Sequence, residues 1–146
     1  MLLRQTLVLL SGISLLGICG CGNQTGDSPE RFPVSGTVTF QGEPVPVGSI
    51  QFSPDTSKGN TGPTGYASIS NGKFDTSLDG KGTVGGPHMV VIIGLDGKGD
   101  PKSDLPHGSP LFPEFQIAAE LPASETVLNF DVPTPDSSRK SESRKK

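Results

Sequence analysis

Short segments in which hydrophobic and polar residues alternate recur along the chain, and runs rich in Gly and Pro separate them. The segments cover residues 33–40, 49–53, 66–70, 73–77 and 126–132. Alternation with a period of two, in residues that are often β-branched or aromatic, predicts strands with one buried face. The side chains expected to face the core are Val34, Val38, Phe40, Ile50, Phe52, Ala67, Ile69, Phe74, Thr76, Leu128, Phe130 and Val132.

Three other segments predict specific elements. Asn71-Gly72 stands between two alternating segments and predicts a hairpin, because a type I′ turn needs positive φ at both central positions. Residues 88–93 are apolar on both faces, which is typical of a central strand covered on each side. Residues 114–120 predict a short helical turn before the last strand.

The composition favours the same class of fold. The 146 residues include 20 Gly and 14 Pro, so 34/146, about 23%, interrupt regular structure, against roughly 12% in average usage. Gly and Pro cost about 1 and 3 kcal/mol at an interior helix position, which excludes a helical bundle. Six or seven short strands separated by turns therefore indicate an all-β sandwich.

The start of the chain has the pattern of a targeting segment. Residues 1–20 hold one early arginine and an apolar run that is shorter than a membrane span of about 20 residues. A lipoprotein signal needs an aliphatic residue three before the modified Cys and a small residue just before it. Cys21 has Ile18 and Gly20 in these places, whereas Cys19 directly follows the large Ile18. We predict cleavage after Gly20 and lipidation of Cys21; the alternative is an ordinary secretory signal with two unrelated cysteines.

Lipidation of Cys21 determines both the compartment and the thiol chemistry. Diacylation, with chains such as palmitate, plus an amide-linked chain exceeds the two signals needed for stable membrane anchoring. The chain then belongs to the cell envelope, in the periplasm or at the surface, and Gly22 in place of Asp after the lipidated residue favours the outer membrane. No free thiol remains after cleavage, which excludes disulfides, cysteine metal sites and cysteine nucleophiles.

Charge is distributed unevenly along the predicted mature chain. Residues 22–135 hold six basic and thirteen acidic residues, net −7, whereas residues 136–146 hold five basic and two acidic residues, net +3. An acidic body argues against a nucleic-acid partner. Residues 22–31 hold no hydrophobic residue, so residues 21–32 are predicted to be the lipidated Cys and a flexible tether. Residues 134–146 predict a disordered tail that either aids solubility or contacts anionic envelope polymers or lipid.

Several motifs within residues 33–133 together resemble a known family. The first strand and turn carry the spaced pattern Val34, Gly36, Val38, Phe40, Gly42, Pro44 and Val45, followed by Asn71-Gly72-Lys73-Phe74, residues 86–92 and residues 111–115. This set is similar to the carboxypeptidase regulatory-like, or transthyretin-like, domain of small lipoproteins from planctomycete-type bacteria. The resemblance implies a seven-stranded Greek-key β-sandwich, usually an accessory or structural module. His88 and the Gly86-Pro87 order depart from the family pattern.

Other motifs carry little chemistry. Gly80-x-Gly82-x-x-Gly85 matches the glycine spacing of a dinucleotide-binding motif. That motif needs a strand before it and a helix after it, and the sequence predicts no such pair here. The acidic loop at Asp96, Asp100 and Asp104 fails the EF-hand spacing and predicts a weak Ca²⁺ site or solvated turn charges. His88 and His107 are the only histidines, too few for a catalytic zinc site without a carboxylate.

These observations predict a protein without catalytic residues, cofactor or metal. There is no Gly-x-Ser-x-Gly nucleophile motif, and we expect His88 to be satisfied or semi-buried and His107 to face solvent. The expected function is a structural or protein-interaction module of the cell envelope, with the membrane and other envelope proteins or glycans as partners. The alternative is a ligand-binding module that takes glycan or Ca²⁺ through the Asp-rich loops.

Overall fold

A computed structural model describes residues 28–78, 82–100, 102 and 104–134. The predicted signal peptide, the lipidation site Cys21 and nearly all of the predicted tail lie outside the described residues. The described chain is all-β, with a single 3₁₀ turn at Thr56–Lys58. Its eight strands are β1 (Val34–Phe40), β2 (Glu43–Pro44), β3 (Val47–Pro54), β4 (Gly65–Ser70), β5 (Lys73–Asp75), β6 (Gly86–Leu95), β7 (Phe115–Leu121) and β8 (Thr126–Val132).

The strands form one curled sheet in the order β7-β6-β3-β4-β5-β1-β8. Because β8 pairs along the whole of β1, the short strands β2 and β5 share the other edge of β1. All neighbouring strands are antiparallel except β1 and β8, which are parallel, with Val34 opposite Thr126 and Phe40 opposite Val132. The chain therefore enters β1 and leaves β8 at opposite ends of the sheet.

These two ends are used as landmarks below. The entry end holds residues 31–33, 55–64, 76–78, 82–85 and 122–125, and the exit end holds residues 41–46, 71–72, 96–100, 102, 104–114 and 133–134. At the entry end, Phe32 and Thr83 exchange backbone hydrogen bonds of 2.7 and 2.9 Å. This pairing fixes where residues 28–33 meet the sheet.

The core lies inside the curl of the sheet. The predicted inward residues are confirmed: most are buried, and Phe40, Leu128 and Phe130 are half-buried against the core. Phe52, Phe74 and Phe130 form an aromatic cluster with ring centroids 6.0–6.5 Å apart. These rings come from β3, β5 and β8, so strands distant in the sheet order share one core.

Two local features explain the register. The predicted hairpin is confirmed, because Asn71 has φ 49° and Gly72 has φ 72° between β4 and β5, the positive values that a type I′ turn requires. Gly36 has φ 153°, and a Cβ there would lie 1.7 Å from the Leu128 carbonyl oxygen. A side chain at residue 36 is therefore incompatible with the close approach of β8 to β1.

The predicted helical turn over residues 114–120 is wrong, because residues 115–120 belong to β7. Gln116, Ala118 and Glu120 are good helix formers, but six residues of the segment pair with β6. Pairing with a buried neighbour outweighs the weak local preference. The alternation of this strand is obscured in the sequence, because its outer face carries Ala118 between two polar residues.

The strand at residues 88–93 is central, as predicted, but only one of its faces is covered. It lies in β6 between β3 and β7. Val90 and Ile92 are buried, whereas Ile93 on the outer face is 42% exposed. The expected cover on both faces is wrong, because the described residues place no second layer against the outer face of β6.

Candidate functional site

A groove at the exit end combines apolar walls with a charged rim. We call it the exit groove; its volume is about 320 Å³. Its walls include Phe40, Pro44, Pro46 and Leu111, and its rim carries Glu43, Asp96 and Lys98. Charged and apolar atoms around one opening suit an amphipathic side chain or a short polar peptide.

The exit groove is built from residues 40–46, from Asp96 and Lys98, and from Leu111. Phe40 ends β1, and its ring lies 5.0 Å, centroid to centroid, from that of the buried Phe112. The prolines follow from the turn after β1, and Leu111 is held by a 2.9 Å hydrogen bond from its N–H to the Gly94 carbonyl. The alternating pattern predicted Phe40, but it contained no signal that the loop at Leu111 folds back beside β1.

The Asp96 carboxylate is committed to the structure of its own loop. Its Oδ1 accepts hydrogen bonds from the backbone N–H groups of Lys98 and Ser109, each at 3.0 Å. Asp100 Oδ1 accepts one from the Lys102 N–H at 2.9 Å. Across the described ranges, no three His, Cys, Asp or Glu side chains come together as a metal site. The ligand-binding alternative at this loop stays a hypothesis.

A larger groove of about 500 Å³ lies where β4 and β5 separate. Ser68, Lys73, Asp75 and the 84% exposed Leu78 line part of it. Hydrogen bonds from the Ser77 hydroxyl and then from the Ser77 N–H lower the pKa of Asp75 below its ordinary value of 3.8. The carboxylate is thus held in a local turn and carries a negative charge at neutral pH.

A third groove crosses the outer face of β3, β4 and β6. Tyr66, Ile93 and His107 line it, and its volume is about 390 Å³. His107 is exposed on the loop after β6, which confirms the prediction that it faces solvent. The sequence could not indicate that this loop brings His107 beside Tyr66, because 40 residues separate the two.

The sequence predicts a satisfied or semi-buried His88, but the structure buries it fully, and only one of its ring nitrogens has a partner among the described residues. Nδ1 lies 2.9 Å from the Gly86 carbonyl oxygen, and Nε2 has no hydrogen-bond partner among the described residues. The ring faces the core from β6, where the resemblance has an aromatic residue. Its ring lies on the same buried face of β6 as Val90 and Ile92.

The described residues of the Gly80-x-Gly82-x-x-Gly85 motif do not form a phosphate site. Gly80 lies outside the described residues, and Gly82 and Gly85 precede strand β6. A phosphate site of this kind needs the N-terminus of a helix after the glycines. The strand that follows removes the physical basis of that interpretation.

Comparisons with known proteins do not identify the chain. No protein-family model matches it, and a search of curated proteins gives no match. In the part of the chain that is described, no helix is both long enough and apolar enough to cross a membrane.

Proposed function

We propose that the protein is a lipoprotein of the cell envelope whose β domain is a structural or protein-interaction module without catalytic activity. The observation that carries the proposal is Ile18-Cys19-Gly20-Cys21 after a short apolar run. A polar segment and an all-β domain follow these residues directly. The outer membrane is the favoured location, in line with Gly22 after the lipidated cysteine.

We also propose that the fold is a transthyretin-like Greek-key sandwich. The curled sheet supports this, because β3 and β8 bring Phe52 and Phe130 together from different parts of the strand order. The motif residues that carry the resemblance lie in β1, β2 and the β4–β5 hairpin. The sheet has eight strands, whereas the family has seven; the two-residue strand β2 accounts for the difference.

The proposed tether joins the domain at the entry end. Phe32 pairs with Thr83, so the polypeptide from Cys21 joins the domain at this end. Eleven residues from Cys21 to Arg31, at no more than about 3.6 Å each, reach at most about 40 Å. The proposed anchor would therefore attach at the end of the domain opposite the exit groove.

The anchor is tested by substitution of the two cysteines. Cys21→Ala should release the protein from the membrane fraction and abolish incorporation of labelled palmitate, since the acylated thiol is removed. Cys19→Ala is the matched control, because this residue leaves with the signal and its loss should change neither result. Membrane retention of Cys21→Ala would contradict the lipoprotein assignment.

A further inference from the structure

We propose that residues 135–146 dock in cis against the exit groove and cover it. This inference goes beyond the proposed function and does not depend on lipidation of Cys21. The occupant is the basic C-terminal segment of the same chain. Three properties of the described residues favour it: the place where β8 ends, the charge of the exit end and the chemistry of the groove.

The segment starts next to the groove. Val132, the last residue of β8, is paired with Phe40 of β1, and Phe40 is a wall of the exit groove. Paired strands lie about 4.8 Å apart. Residues 133–134 are described at the exit end, so the segment that follows them starts from the same end of the sheet as the groove.

The charges of the two partners are complementary. The described residues of the exit end carry five acidic and two basic side chains, net −3: Glu43, Asp96, Asp100, Asp104 and Glu114 against Lys98 and Lys102. Residues 135–146 carry five basic and two acidic side chains, net +3. At physiological salt the Debye length is about 8 Å, so this attraction would act if the segment docks directly against the exit end.

The groove suits a long basic side chain. Phe40, Pro44 and Leu111 offer apolar surface on which the aliphatic stem of Arg or Lys packs, while the charged head stays at the rim. Glu43 is exposed at that rim and can accept a hydrogen bond from a guanidinium. Arg139 follows Val132 by seven residues, a span of up to about 25 Å when extended.

Docking in cis couples the groove and the basic segment. Any partner that binds the groove must displace the segment, and any anionic polymer that binds the segment must uncover the groove. The exit groove is thus the surface at which this module would select its partner. Contact through charged side chains needs no regular secondary structure in residues 135–146.

A zero-length carbodiimide crosslink tests the contact in the full chain, purified in non-ionic detergent. We expect amide bonds between Glu43 and the lysines of residues 140–146, identified by mass spectrometry. Their yield should fall several-fold in 0.5 M salt, where screening is strong. Glu125, exposed at the entry end, is the internal control; equal crosslinking of Glu125 and Glu43 would overturn the proposal.

Hydrogen exchange provides the second readout. Removal of residues 135–146 should speed exchange several-fold in residues 41–46 and leave residues 122–125 unchanged. The full-length variant Arg139→Glu/Lys140→Glu should reproduce this effect, and circular dichroism would verify its fold. Unchanged exchange at residues 41–46 would overturn the proposal. Binding of dextran sulfate with equal affinity by the wild type and Glu43→Lys would also overturn it, since it would assign the segment to an external polyanion.

Discussion

At the scale of single residues, the close approach of the β8 backbone leaves no room for a side chain at one position of β1. Gly36 combines φ 153° with a Leu128 carbonyl oxygen at 1.7 Å from the position of a Cβ. Gly42 also has a positive φ, of 80°, but open space around it. A side chain at Gly36 would therefore meet a steric clash, whereas a side chain at Gly42 would only strain the local backbone conformation.

Gly36→Ala should destabilise the domain by about 3 kcal/mol or more, because β8 must move away from β1. Gly42→Ala is the matched control and should cost about 1–2 kcal/mol, since only the left-handed backbone conformation is strained. Chemical denaturation measures both. Similar losses at the two positions would contradict the close β1–β8 approach.

His88 shows that an imidazole can serve as a core ring. His88→Phe should leave the free energy of unfolding unchanged or raise it, because Nε2 has no partner and removal of an unsatisfied polar atom from the core is favourable. His88→Ala, the control, should cost about 2–4 kcal/mol through the cavity it creates. A loss above about 2 kcal/mol in His88→Phe would indicate an undetected partner of Nε2.

Asp75 links stability to acid pH. Its folded pKa is lowered chiefly by the Ser77 hydroxyl, so the ionised carboxylate stabilises the fold above the ordinary Asp pKa of about 3.9. That stability is lost as the pH falls through the lowered folded pKa. Asp75→Asn should therefore flatten the loss of stability below about pH 4, and Ser77→Ala should do the same. Acid titrations followed by circular dichroism test this; an unchanged wild-type profile in both variants would contradict it.

At the scale of elements, loops and edges depend on partners far away in the chain. The loop after β6 is organised by Asp96, which accepts hydrogen bonds from the backbone of residues 98 and 109. The strand β7 exists because β6 offers a paired edge, although its residues favour a helix. Local sequence therefore predicts such elements poorly.

The acidic loop gives a prediction about Ca²⁺. Because Asp96 and Asp100 already accept backbone hydrogen bonds, millimolar Ca²⁺ should leave the melting temperature unchanged within about 1 °C. A ligand that binds only the native state raises its stability. A rise of several degrees with Ca²⁺, and not with Mg²⁺, would instead support the ligand-binding alternative.

At the scale of the whole molecule, the parallel pairing of β1 with β8 has the largest consequence. It sends the two ends of the domain in opposite directions, with Phe32 at one end and Thr134 at the other. The described chain thus begins and finishes at opposite ends of the sheet. In the docking that we propose, the exit groove is the surface at the end from which residues 135–146 follow.

The sequence by itself determined the all-β class, the hairpin at Asn71-Gly72 and most of the core, because strand periodicity and turn conformation are local properties. It also determined the charge asymmetry and the candidate lipidation site. Only the tertiary structure decided that residues 115–121 form a strand, that β8 runs parallel to β1 and that Phe40 meets Leu111. These features depend on contacts between residues far apart in the chain, which no local pattern encodes.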